Sequence, residues 1–170
     1  MALLEITTIP DPILRRKAQP VTRINDETRE LIDNMVETMR VAPGVGLAAP
    51  QVGVSQRVIV VEYTTNEEDE DSPKKLFMVI NPELKVLDDN SEMGIEGCLS
   101  LPGLLVEVDR AIKVLVKGLN HQGNPIRIKA DGWLARIFQH EIDHLDGIVF
   151  TDRASRIWKP GPDEEYVDNV

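Results

Sequence analysis

The chain has 170 residues, of which 42% are hydrophobic and 28% charged, and its formal net charge is −10. That length suits one domain with one sizeable core, and the acidic balance argues against a nucleic acid held on a basic face. The single cysteine, Cys98, excludes an intramolecular disulfide, and no apolar run approaches the roughly 20 residues that span a bilayer.

The opening stretch, MALLEITTIPDPILRRKAQP, lacks a positive segment followed by an apolar block and carries Pro10 and Pro12, so it does not read as a signal peptide. Glu5 and Asp11 argue against a transit sequence. The default address is cytoplasmic, although a processed organellar protein would look the same. Residues 24–40 read as a helix capped by Asn25 or Asp26, with Leu31, Ile32, Met35, Val36 and Met39 on one stripe. In 41–53, Gly and Pro break the periodicity and predict a loop or irregular extended segment. Residues 56–63 and 75–82 read as strands around the acidic loop TTNEEDEDSPKK, expected to be solvated. The run 104–120, the turn HQGN and residues 125–132 suggest strands meeting at a hairpin, with His121 exposed in its turn.

Residues 131–147, DGWLARIFQHEIDHLDG, read as a second helix with Asp131 as N-cap and Gly147 at its close. Its apolar residues cover more than one stripe, which predicts a largely buried helix. After it, about 153–170 reads as a short irregular tail, and residues 1–170 as one domain. Helix, several strands and helix without regular alternation imply an α+β class with mainly antiparallel sheets.

His140 and His144 are four apart on that second helix and so share one face. Glu141 lies one residue round from His140, within reach of a water on an ion held by both imidazoles. This is the H-E-x-x-H logic of two metal ligands and a general base. A charged helix face is the bland alternative, but two histidines and a glutamate in a buried helix are costly unless something pairs them. A catalytic ion needs a third ligand and an open position. Cys98, in IEGCLSLPG, offers a thiolate suited to Zn or Fe(II); a buried hydrophobe is its equal alternative. GVGLAAPQ (44–51) allows close backbone approach at Gly44 and Gly46 but makes a poor phosphate loop.

Together these stretches resemble peptide deformylase. The family's Gly-x-Gly-x-Ala-Ala-x-Gln segment is matched by Gly44, Gly46, Ala48, Ala49 and Gln51, its Glu-Gly-Cys-x-Ser by Glu96, Gly97, Cys98 and Ser100, and its His-Glu-x-Asp-His by His140, Glu141, Asp143 and His144. The resemblance implies removal of the formyl group from the N-terminal formyl-methionine of nascent peptides, with release of formate. It implies one divalent ion on Cys98, His140 and His144, natively Fe(II), with Zn or Ni able to substitute. The sheets would then pack around a central metal-binding helix, preceded by an N-terminal helix. Glu141 would be the base, and the Gln51 side chain and Leu99 backbone N–H would serve the oxyanion. Gly46 would pair with an extended substrate, and Val45, Trp133 and Ile137 are candidates for the methionine pocket, each equally suited to ordinary core. Many members carry an arginine near the place of Leu105, a departure that leaves the downstream peptide contacts open; Arg110 follows and reads as structural. No ribosome-docking role carries over to the tail, which Pro160 and Pro162 break. A metallopeptidase would share H-E-x-x-H but leave the other two motifs unexplained, and a structural metal module would need a fourth ligand. A relative that kept the motifs and changed substrate is the remaining alternative.

Overall fold

The computed structural model describes residues 2–161. Helix α1 spans Asp26–Val41. Asn25 caps it: its side chain accepts the Thr28 backbone N–H at 3.1 Å, and the Thr28 hydroxyl accepts that of Asn25 at 3.4 Å. Two otherwise orphaned donors are satisfied reciprocally. Ile32, Met35, Val36 and Met39 form its buried stripe.

Strands β1 (Gly46–Ala48), β2 (Val58–Thr64), β3 (Lys74–Val86), β6 (Lys113–Leu119) and β7 (Pro125–Asp131) form an antiparallel sheet in the order β1-β2-β3-β6-β7. Strands β4 (Ser91–Cys98), β5 (Leu101–Ala111) and β8 (Ala154–Trp158) form a second, in the order β4-β5-β8. The apolar run of β2 shows why the larger sheet is covered on both faces. Val58 and Val60 pack with α1, whereas Ile59 and Val61 pack with helix α2 (Gly132–Leu145). Alternate residues of a strand face opposite sides, so an unbroken apolar run needs two hydrophobic neighbours. The architecture is thus α+β, antiparallel, with two α-helices, as expected.

Helix α2 lays Leu134, Ala135, Ile137, Phe138, Ile142 and Leu145 on the larger sheet. Phe138 meets Phe77 edge to face, with ring centroids 5.4 Å apart. On another face, Arg136, His140 and Asp143, spaced by helical turns, reach β4 and β5 through hydrogen bonds. Gly147, at φ +75°, ends the helix in a left-handed turn.

Several segments differ from the sequence expectation. Residues 46–52 are not loop but β1 followed by a 3-10 helix, Ala49–Val52. Gly and Pro hide these because both elements are too short for periodicity. The run 104–120 divides at Ile112: β5 joins the small sheet and β6 the large one. The segment leading to Cys98 is β4, a strand not named in the sequence reading. Met93 and Ile95 face outward and Glu96 is buried inward, the reverse of the usual apolar-in alternation. Residues 154–158, expected in an irregular tail, form β8 against β5; the part of that tail at 162–170 lies outside the described residues. Asp131 holds the N-cap position of α2, but its side chain makes no capping bond. His121 lies in the β6–β7 turn half-buried rather than exposed, with Nε2 3.4 Å from Asp33 Oδ1.

Candidate metal centre

The second helix and the β4–β5 hairpin meet edge on. His140 and His144 stand one turn apart, with their Nε2 atoms separated by 3.1 Å. Cys98 closes β4, and its Sγ lies 3.4 Å from His144 Nε2. The three potential ligand atoms lie within 4.8 Å of one another, and all three residues are buried. His121 lies outside this group.

The chemistry of the donor set suits a divalent cation. One thiol and two imidazole nitrogens facing one another repel if all present lone pairs, and an ion between them removes that conflict. Burial, and then the nearby Glu141 charge, raises the Cys98 thiol above its ordinary range; a bound cation acts in the opposite sense. Burial, then the charge of His140, lowers His144 well below the ordinary histidine value, which favours the neutral imidazole that a metal needs.

Glu141 is fully buried, and neither carboxylate oxygen has a hydrogen-bond partner. Burial, followed by the charge of Glu96, raises its pKa well above the usual carboxyl value. An orphaned carboxylate is expensive in a core, so its presence points to chemistry rather than packing. Gly46 makes room for it: a Cβ there would stand 2.9 Å from Glu141 Cδ. Gly46 lies on β1, a buried edge strand that pairs with another strand on one side only.

Behind the ligands sits a charged network. Glu96 Oε1 lies 2.8 Å from His140 Nδ1. Arg110 donates to both Glu96 oxygens at 3.0 Å, and Arg136 donates to Oε2 at 2.8 Å. Burial opposes ionisation of Glu96, but the hydrogen bonds from His140 and Arg110 outweigh it and hold the group well below the carboxylate range. Arg110 also reaches Asp143 at 2.6 Å, and Arg153 binds Asp143 through two nitrogens. With Nδ1–H directed at Glu96, the Nε2 lone pair of His140 is aimed at the cluster.

Gln51 is buried beside Cys98. Its Oε1 accepts the Ala48 N–H at 3.0 Å, which turns Nε2 toward Ser100 Oγ at 3.1 Å and Cys98 Sγ at 3.7 Å. Leu99 lies in the turn between Cys98 and β5. Val45 and Ile137 are buried in the large core and Trp133 packs against it. Leu105 lies on β5, half-buried, opposite Gly97 and Trp158.

The hub role of Glu96 and the three hydrogen bonds of Arg136 to β4 and β5 were not read from the sequence. Glu96 stood within a matched motif, and a buried glutamate two residues from a ligand was the available signal. Arg110 was read as structural, and it does bridge two carboxylates.

The polypeptide deformylase family model matches residues 3–159. A peptide deformylase of Halothermothrix orenii is 55% identical over 92% of this chain and 97% of its own length. The crystal structure of peptide deformylase from Ehrlichia chaffeensis in complex with actinonin is 40% identical. It covers 92% of this chain and 91% of its own, with a TM-score of 0.83. A Met-Ala-Ser-bound class I type b peptide deformylase from Acinetobacter baumannii is 39% identical, covers 89% and 98% respectively, and gives a TM-score of 0.81.

Proposed function

The chain belongs to the polypeptide deformylase family, enzymes that remove the N-formyl group from nascent polypeptides, and from that premise we propose how its own residues carry the reaction. The observation that carries the reading is the buried, unpartnered Glu141 carboxylate beside three converging ligand atoms.

Cys98 Sγ, His140 Nε2 and His144 Nε2 would hold the divalent ion, and α2 would be the metal-binding helix around which the sheets pack, with α1 preceding it. The ion supplies an electrophilic centre and brings the pKa of a water toward neutrality. We assign Fe(II) as the native metal, with Zn or Ni as substitutes; thiolate and imidazole donors suit all three.

Glu141 takes the proton from the attacking water and delivers it to the amine as the formyl C–N bond breaks, leaving formate and a free N-terminus. Gln51 Nε2, with its amide fixed by Ala48, and the Leu99 backbone N–H donate to the oxyanion. The open edge of β1 at Gly46 takes the substrate backbone as an added strand. Val45, Trp133 and Ile137 line the slot for the methionine side chain. The Met-Ala-Ser carried by the Acinetobacter baumannii structure supports a formyl-methionyl peptide as the substrate here.

We treat residues 1–170 as one catalytic domain, active in the cytoplasm on chains leaving the ribosome. Among the described residues no helix is long and apolar enough to cross a membrane.

The test is formate release from formyl-Met-Ala-Ser by anaerobically prepared, Fe(II)-loaded protein beside its Glu141→Ala variant. Activity in the wild type alone, with equal metal content, is expected. Equal activity in both would remove Glu141 as the base. No formate from either, with metal bound, would point to an altered substrate.

A further inference from the structure

The acidic loop between β2 and β3 is not simply a solvated one. One of its carboxylates is committed to the helix that carries His140, Glu141 and His144. Glu67 Oε1 accepts the backbone N–H of Trp133, and that of Leu134 at 3.2 Å. First-turn N–H groups have no partner within their own helix, and Asp131 at the N-cap position gives them none. A carboxylate there is also favoured by the helix dipole.

The loop is shaped for this reach. The Asn66 side chain accepts the Glu68 N–H at 3.2 Å, and the Asp69 side chain that of Asp71 at 3.0 Å, each folding the chain back on itself. On the helix side, Gly132 has φ +59°, and a Cβ there would stand 2.9 Å from Glu67 Oε2. The helix start is bare where the carboxylate arrives.

Trp133 is therefore held at two points, its ring by Arg136 and its backbone N–H by Glu67. Arg136 lies over its ring at 5.5 Å and is itself fixed by Glu96, by the Val108 carbonyl at 2.9 Å and by the Glu92 carbonyl at 2.6 Å. Gly94 accommodates that guanidinium, since a Cβ would stand 2.6 Å from Arg136 Cζ. Glu67 holds the Trp133 backbone N–H, and it comes from an exposed loop. A cavity of about 190 Å³ is lined by Glu67, Gly94, Trp133 and Arg136 among others.

We propose that Glu67 is a specificity-setting residue. It straps the acidic loop across the first turn of α2 and fixes Trp133 as a wall of the slot for the substrate's first side chain. The inference rests on the reading of Trp133 as a slot residue. It acts through backbone hydrogen bonds, so Glu67 positions Trp133 and touches no reacting atom.

The test compares kcat and KM for formyl-Met-Ala-Ser and formyl-Leu-Ala-Ser in the metal-loaded wild type and in Glu67→Ala, Glu67→Gln and Trp133→Ala. Glu67→Ala is expected to reduce the preference for methionine about fivefold, chiefly through KM, as loss of a helix cap would allow. Glu67→Gln keeps an acceptor oxygen and should stay within about twofold of the wild type. Trp133→Ala should reduce the preference at least as far as Glu67→Ala. If Trp133→Ala shifts the preference and Glu67→Ala does not, the strap is overturned while the slot reading stands. A lowered Tm with unchanged preference in Glu67→Ala overturns it too, leaving a plain cap. If Trp133→Ala leaves the preference unchanged, the slot reading fails and takes the strap with it.

Discussion

Glu96 and His140 are joined through Oε1 and Nδ1 at 2.8 Å, on the far side of the imidazole from His144. This contact sets the direction of the His140 lone pair, and two arginines balance the charge that makes it. Glu96→Gln should weaken metal binding about 10- to 100-fold, the usual effect of losing an outer-shell partner. It also leaves Arg136 with a neutral partner in a buried site, while Arg110 keeps Asp143, so stability should fall by about 3 kcal/mol. Chelator competition and urea unfolding read the two effects separately. Unchanged metal affinity would show that Glu96 serves the fold alone.

Gly46→Ala is expected to abolish most activity without unfolding the protein. The added Cβ would press on Glu141 Cδ, and the base must give way by a fraction of an ångström. Misplacement on the order of 1 Å can cost about 100-fold in rate. Metal content and circular dichroism should match the wild type; a full-rate Gly46→Ala enzyme would show that Glu141 has freedom the packing does not suggest.

Chelation tests the metal from the other direction. Removal of the ion should eliminate formate release, and readdition of Fe(II) should restore it. Activity that survives exhaustive chelation would contradict the assignment of Cys98, His140 and His144.

One pair away from the site governs part of the acid response. Arg40 binds Glu62 through two nitrogens at 2.6 and 3.1 Å. The hydrogen bond from Arg40 lowers the Glu62 pKa from the ordinary 4.5, against a smaller opposing effect of burial. A carboxyl whose folded pKa is depressed binds protons more readily when unfolded. Its stabilisation is therefore present above 4.5 and lost as the pH falls through the depressed value. Because Arg40 is about half exposed, the contribution is small, about 0.5 kcal/mol. Glu62→Gln should lower stability by about that amount at pH 7 and by less at pH 2. An equal loss at both values would trace the effect to packing.

Phe138→Ala should cost about 3–5 kcal/mol in urea unfolding, because the side chain projects from α2, fully buried, against Phe77 of the large sheet. A loss below about 1 kcal/mol would mean that the large core rearranges around the gap.

The elements legible in the sequence are those whose stabilisation is local or whose apolar face is unbroken. The α1 stripe and its Asn25 cap lie within one short segment, and the Val58–Val61 run declares a strand with two covered faces. The three motifs of the site were visible because their residue types are chemically distinctive. Strand β4 was not, because its inward face carries Glu96, whose partners Arg110 and Arg136 come from 14 and 40 residues away. The cap of α2 was likewise hidden, since Glu67 lies 66 residues from Trp133. Buried charge reads as exposed until the partners that neutralise it are in place.

The ligands are carried by elements that do not depend on the ion for their shape. Helix α2 is seated by Phe138, Ile142 and Leu145, while the β4–β5 hairpin is seated by its own pairing and by Val106, Val108 and Phe150. Short zinc modules, by contrast, become ordered only around their ion. Here the vessel is cast before it is filled. Removal of the ion is therefore expected to leave the fold standing, which circular dichroism after chelation would check.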